Sequence, residues 1–125
     1  MSHPMFRHID ASRHGNVSVV KILEQRIVDE PPLDELRDEI GQVVGDLHGV
    51  NLLIDLGAVD FLSSAMLDSL CQLYRRLHAA GGQLKLCRLN HSIAEVFRTT
   101  NLDRLFPIHA DATEALASFC ASGRG

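Results

Sequence analysis

Two adjacent hydroxyls, Ser63 and Ser64, lie within Val59–Leu67 (VDFLSSAML) and are the side chains best placed to do chemistry. A nucleophilic serine needs a base in reach and usually a glycine-flanked elbow of the GxSxG kind. Here the flanking residues are Leu62 and Ala65, and no histidine lies at a spacing that would activate either hydroxyl. Asp55 and Asp60 could suggest a carboxylate pair, but Asp55 falls inside an apolar run and Asp60 in a loop. Solvation accounts for Asp60, and Asp55 has no account from sequence. His3, His8 and His14 are too irregularly spaced for a zinc signature, and His48, His78, His91 and His109 fall at element ends. All seven read as surface histidines. Cys71, Cys87 and Cys120 are odd in number, widely spaced and without a CxxC pair, which suits reduced thiols buried mostly as small hydrophobes. No GxxxxGK[ST] or GxGxxG loop is present to cradle a phosphate. The pattern predicts no enzymatic activity, no metal and no cofactor.

What remains is the position of the two serines. The run Val50 to Leu56 (VNLLIDL) reads as a strand, and the residues after Ser64 take up helical periodicity, so the serines stand where a helix must begin. Serine is a favoured N-cap, and one of the pair can do no more than cap. A phosphate there would meet unpaired backbone N–H groups and the positive end of the helix dipole. It would also add about −1.5 to −2 charges to a surface made of Phe61, Leu62 and Met66. A partner with an acidic or apolar face would then be rejected.

The elements that position this loop follow from the apolar pattern. Phe6 to Ile9 and Val17 to Leu23 are β-leaning runs separated by a segment containing His14-Gly15-Asn16, whose Gly-Asn turn signal predicts a hairpin. Val17, Val19, Lys21 and Leu23 share one face of the second run, Val20 and Ile22 the other, and Ile27 and Val28 could extend it. Pro31-Pro32 opens helix 1, whose stripe is Leu33, Leu36, Ile40, Val43 and Leu47, weakened at Gly41 and Gly45 and closed by Gly49. Val50 to Leu56 lacks clean alternation, as in a strand covered on both faces. Helix 2 carries Met66, Leu70, Leu73, Leu77 and Ala80 and ends at Gly81-Gly82. Leu84, Leu86 and Leu89 mark the next strand. Ser92-Ile93-Ala94-Glu95 matches a capping box opening helix 3, with Ile93, Val96 and Phe97 inward. Leu105 to Ile108 is a short strand whose Pro107 restricts it to an edge or a strand end, and helix 4 has Ala112, Leu116 and Phe119 as its stripe. Alternation of this kind specifies one α/β domain with right-handed crossovers. Partner-contacting loops then gather at the carboxyl ends of the strands, where Ser63-Ser64 lies.

Composition narrows the partners. At 125 residues and a net charge of −4, with no cluster of Arg and Lys beyond Arg75-Arg76, the chain offers no bulk positive charge for nucleic acid or an anionic membrane. Its apolar runs fall far short of the roughly 20 residues that span a bilayer. The opening MSHPMFRHIDASRHGN has no apolar core of a signal peptide, so a cytoplasmic location is expected.

The segment from Val50 to Phe119 resembles the STAS family, specifically the bacterial anti-sigma-factor antagonists. The matching features are NLLIDL, the loop VDFLSSAML, AAGGQLKLCRLN, EVFRTTNLDRLF and a closing helix with Leu116 and Phe119. The first 49 residues fit in element order only, with residues 1–16 and 121–125 read as edge or weakly ordered segments of one domain spanning 1–125. The resemblance implies a mixed, mostly parallel sheet of about five strands with about four packed helices and no catalytic activity. Members bind an anti-sigma factor that is also a serine kinase and so free the sigma factor. The kinase phosphorylates a serine at the start of the second helix, the modified protein lets go, and a separate phosphatase resets it. Aligned by Phe61-Leu62, the phospho-acceptor falls on Ser64, with Ser63 second, and the partner surface on Asp60, Phe61, Leu62, Ser63, Ser64 and Met66. Three features depart from the family pattern. Ser63 stands where Asp is usual, and Met66 stands where Gly is frequent, adding an exposed apolar side chain to the docking surface. The first-helix entry, typically Gly-Glu/Asp-Ile/Leu-Asp, is replaced by Arg26-Ile27-Val28-Asp29-Glu30-Pro31-Pro32. The alternatives are a STAS interaction module that is never phosphorylated, its serines serving as caps, and a small-ligand or nucleotide binder using the same loops.

Overall fold

The computed structural model describes residues 8–27, 31–45 and 48–123. A hairpin comes first. β1 (Ile9–His14) and β2 (Val17–Ile22) are antiparallel and joined through Gly15-Asn16, with Gly15 at φ 63°. A loop of two residues sets the register, pairing His14 with Val17 and Ile9 with Ile22. That register draws the mostly polar segment Asp10 to His14 into a strand expected at Phe6 to Ile9, and an edge strand tolerates it because its outer side faces water. Of the expected run, Phe6 and Arg7 lie outside the described residues. The predicted extension of the second run is a separate piece. β3 (Arg26–Ile27) pairs in parallel with β5 (Phe61–Leu62) in a sheet of its own, and Val28 lies outside the described residues.

The main sheet has five strands in the order β1-β2-β4-β6-β7, where β4 is Asn51–Asp55, β6 is Gln83–Cys87 and β7 is Ile108–His109. Every pairing after the hairpin is parallel, so the sheet is mixed and mostly parallel, as expected. Its two faces are covered unequally. Val20, Ile22, Leu52, Ile54, Leu84 and Leu86 join one core with α1 (Pro31–Val44), α2 (Ser64–Ala79) and α3 (His91–Thr99). Val17, Val19, Leu53 and Cys87 point the other way, onto Ala115 and Phe119 of α4 (Ala112–Gly123). The period-2 alternation of strand side chains makes this partition, and it explains why β4 shows no apolar–polar rhythm. Leu52, Leu53 and Ile54 are each 0% exposed. Burial of this extent contributes ~1.5–3 kcal/mol per side chain relative to exposure.

Helix ends are where local chemistry and expectation part company. α1 stops at Val44 because Gly45 takes φ 69°, one turn before the expected stop at Gly49, and Leu47 lies outside the described residues. α3 opens two residues earlier than the Ser92 capping box suggests. The Asn90 side chain accepts from Ile93 N at 3.0 Å, and Glu95 instead pairs with Arg98. The expected strand at Leu105 to Ile108 shrinks to β7, because Leu102–Arg104 closes a 3-10 turn after Asn101 at φ 64°. α2 ends as Gly81-Gly82 predicts. Gly82 N bonds Leu77 O at 2.8 Å and Gly81 N bonds His78 O at 3.1 Å, the paired bonds of a Schellman cap, with Gly81 at φ 85°. Gly82 has a further reason to be glycine, since a Cβ there would run into the carbonyl oxygen of Val50.

Two polar side chains buried by this packing escape sequence reasoning. His8, expected on the surface, is 8% exposed; its Nδ1 lies 2.5 Å from Glu24 Oε2, its Nε2 lies 2.7 Å from Glu35 Oε1, and its backbone N donates to Glu39 Oε1. A ring that offers both nitrogens to carboxylates is an imidazolium. Burial pulls its pKa down, but the hydrogen bonds to Glu35 and Glu24 and the charges of Glu24 and Glu39 outweigh it and raise the pKa above 6.5. Lys85 is buried on the α4 face, where its Nζ donates to Ser118 Oγ and sits 4.8 Å from the Phe119 ring centroid. Burial lowers its pKa.

Candidate functional site

The loop from Gly57 to Ser63 leaves β4 and enters α2, and its shape is set from below by Asp55. That carboxylate, unexplained by sequence, accepts from Gly57 N at 2.8 Å and lies 3.7 Å from Arg88 Nε. Arg88 is at φ 60°, a left-handed conformation unusual for a side chain of its kind, and packs where a Cβ on Gly57 would stand. Asp55 therefore fixes the loop's take-off rather than taking part in a carboxylate pair. Its expected companion, Asp60, is held elsewhere. Asp60 Oδ2 accepts from Gln25 Nε2 at 2.5 Å, Asp60 Oδ1 accepts from Asn90 Nδ2 at 3.1 Å, and Asp60 N donates to Gln25 O at 2.7 Å. Asn90 Nδ2 also reaches Val59 O at 2.6 Å, while its oxygen caps α3. One side chain thus couples the loop to the start of another helix.

The two serines separate cleanly. Ser63 has extended backbone, φ −77° and ψ 165°, and its Oγ accepts from Met66 N at 3.2 Å. It is the N-cap of α2. Asp, usual here in the family the sequence resembles, is an equally favoured cap, so the departure preserves the local structure. Ser64 is the first residue of α2 and exposed, and among the described residues its hydroxyl makes no hydrogen bond. No acidic residue occupies the first turn, which leaves the helix dipole uncompensated there; Asp68, exposed one turn on, accepts from Gln72 Nε2 at 2.8 Å.

The apolar residues assigned to the surface divide as well. Phe61 is 39% exposed, with the Arg26 guanidinium carbon 4.7 Å from its ring centroid. Leu62 and Met66 are 5% and 1% exposed and belong to the core. The expectation that Met66 presents an exposed side chain is corrected. Capping at Ser63 sets the helix phase so that Met66, Leu70 and Leu77 face the sheet, while Ser64 lies roughly 200° round the helix from Met66 at 3.6 residues per turn. Asp60, Phe61, Ser63 and Ser64 therefore form the accessible strip, with Leu62 and Met66 as its foundation. Sequence reasoning missed Gln25, Arg26 and Asn90. The parallel pairing of Arg26 with Phe61 brings the first two here, and no local motif announces it. Asn90 carried a signal, a cap residue just before the apolar positions of α3.

Other candidate chemistry is not assembled. Among the described residues no group of His, Cys, Asp and Glu could hold a metal ion, and none of their helices is long and apolar enough to cross a membrane. Burial pushes the Cys87 thiol up to about 12, and Cys71, half-buried, is raised for the same reason. Neither is poised as a thiolate.

The sequence profile of the STAS domain matches residues 8–115. The chain is 30% identical over 95 residues to BtrV of Bordetella bronchiseptica, a candidate anti-sigma factor antagonist, covering 76% of this chain and 81% of that one. It superposes on an anti-sigma factor antagonist from Mycobacterium paratuberculosis with TM-score 0.76 and 30% identity, over 88% of this chain and 91% of that one. A STAS domain protein from Planctomyces limnophilus gives TM-score 0.77 at 21% identity, over 90% of this chain and 97% of the other. With its mixed sheet, four α-helices among the described residues and exposed α2 start, the chain belongs to the STAS domain family, and the Bordetella and Mycobacterium relatives are named as anti-sigma-factor antagonists.

Proposed function

We propose that this protein is an anti-sigma-factor antagonist that binds an anti-sigma factor with serine kinase activity and is released when that kinase phosphorylates Ser64. The observation that carries the reading is the division of labour at α2: the Ser63 hydroxyl is committed to the cap, and the Ser64 hydroxyl stands exposed at the first helical position. The names of the Bordetella and Mycobacterium relatives support the antagonist role. A phosphate on Ser64 would sit at the positive end of α2 and be stabilised there by the helix dipole. It would also place about −1.5 to −2 charges beside exposed Phe61. A hundredfold loss of affinity needs only about 2.8 kcal/mol, and like charges brought together across an interface cost several. The protein works as a regulatory binding partner in the cytoplasm, and a separate phosphatase restores the binding form.

Incubation with co-encoded anti-sigma kinases and ATP, followed by mass spectrometry, tests this directly. Phosphate is expected on Ser64; Ser64→Asp is expected to weaken kinase binding about a hundredfold, and Ser64→Ala to preserve it. Absence of modification at both serines with every such kinase, together with equal binding of the two variants, would favour an interaction module that is never phosphorylated.

A further inference from the structure

A groove of about 120 Å³ runs between α1 and α2, on the face of α2 turned away from the Ser64 hydroxyl, and it shares Met66 with the foundation of the Ser64 strip. Its floor is apolar, made by Ile40, Met66 and Leu70, and its rims carry Arg37 from α1 and Arg76 from α2. Among the described residues no carboxylate lines it, on a chain whose net charge is −4. Asp34 lies 3.8 Å from Arg37, but both side chains are at least half exposed, and such surface pairs contribute little. Arg76 makes no ion pair among the described residues. Two cations thus flank an apolar slot, and among the described residues no anion neutralises them fully.

Gly41 supplies a second, independent observation. It sits inside α1 without the positive φ that would demand glycine, and a Cβ built on it meets nothing within 4 Å. Alanine would fit and would favour the helix by up to ~1 kcal/mol. What the glycine does, in this structure, is keep the groove wall low. The volume also bears on the occupant. Enclosed small-molecule sites are typically ~300–1,000 Å³, so this slot suits a single inserted side chain rather than a whole ligand.

We propose that the α1–α2 groove docks an acidic amphipathic helix of a protein partner. One apolar side chain fills the slot, and carboxylates one turn to either side of it meet Arg37 and Arg76. This follows the helix-in-groove mode, in which residues three and four apart share a face. Met66, Leu70 and Leu73 of the groove lie roughly 180–240° round α2 from Ser64 at about 100° per residue. The groove therefore opens on the face opposite the Ser64 hydroxyl, as a second docking surface that does not depend on phosphorylation.

The test is titration of the ¹⁵N-labelled full chain with a helical peptide carrying one leucine flanked by glutamates three and four residues away, and with its lysine counterpart. The glutamate peptide is expected to shift the amides of Arg37, Gly41, Leu73 and Arg76 saturably, and to bind at least tenfold more tightly than the lysine peptide. Gly41→Leu fills the slot and is expected to abolish binding while urea unfolding shows no loss of stability. Arg37→Glu combined with Arg76→Glu is expected to invert the peptide preference, and Ser64→Asp to leave binding unchanged. The proposal is overturned by the absence of saturable shifts in the groove, by equal binding of the two peptides, or by a short fatty acid such as octanoate saturating the groove where the glutamate peptide does not. Tenfold weakening by Ser64→Asp would also overturn it, because the groove would then be part of the Ser64 surface.

Discussion

Ser63→Ala and Ser64→Ala remove the same atom from adjacent residues, yet they should act on different properties. The Ser63 hydroxyl accepts from Met66 N at 3.2 Å, and among the described residues no other side chain caps this end of α2. Losing an N-cap of this kind costs about 1 kcal/mol, within a range of 0.5–2. The unfolding entropy near 60 °C is ~2.1 cal/mol/K per residue, or about 0.26 kcal/mol/K for a chain of 125 residues. A loss of 1 kcal/mol therefore lowers Tm by about 4 °C. Ser64→Ala deletes an exposed hydroxyl with no hydrogen bond and replaces it with a better helix former, so its effect stays within ~0.5 kcal/mol, or about 2 °C. Ser63→Asp keeps a capping oxygen and should restore the lost stability. Calorimetry of the three variants reads these differences, and urea unfolding should show a shifted midpoint at constant slope. In a kinase assay the order reverses: Ser63→Ala remains a substrate and Ser64→Ala does not. Equal destabilisation by the two alanine variants would refute the assignment of cap and free hydroxyl, as would a Ser63→Ala protein that melts like the parent.

Two further outcomes probe the scaffold. His8 has a pKa raised above 6.5, so the stability it lends as an imidazolium is fully present below pH 6.5 and is lost as pH rises through its folded-state pKa. His8→Gln should accordingly cost more at pH 6 than at pH 9 by urea unfolding, and an NMR titration midpoint below 6.5 for His8 would contradict the paired geometry. Two glycines should respond with opposite sign: Gly82→Ala forces a Cβ into the backbone of Val50 and should cost ~1–3 kcal/mol, whereas Gly41→Ala meets open space and should gain up to ~1 kcal/mol, both read as shifts in Tm.

The amino-acid pattern alone determined the order of the main-sheet strands and the four helices, though not the small β3–β5 sheet, together with the two-sided burial of Val50 to Leu56, the hairpin at Gly15-Asn16 and the cap at Gly81-Gly82. Each rests on interactions between residues near in sequence, where periodicity and turn chemistry act directly. It also placed a helix start at Ser63-Ser64, but left open which hydroxyl would cap and which would be free. Tertiary structure decided that, because the cap bond to Met66 N exists only once the helix phase is locked by burying Met66, Leu70 and Leu77. The same burial withdrew Met66 and Leu62 from the surface where sequence reasoning had put them. The supports of the strip, Gln25 and Asn90 around Asp60 and Arg26 over Phe61, come from segments some 30 residues or more away, joined by the β3–β5 pairing and the parallel register of β4 and β6. His8 was read as a surface residue for the same reason: its carboxylate partners Glu24 and Glu35 lie 16 and 27 residues away and meet it only when the hairpin packs on α1. A hydroxyl's place in the chain is local information; its freedom to react depends on which neighbours the fold brings to it.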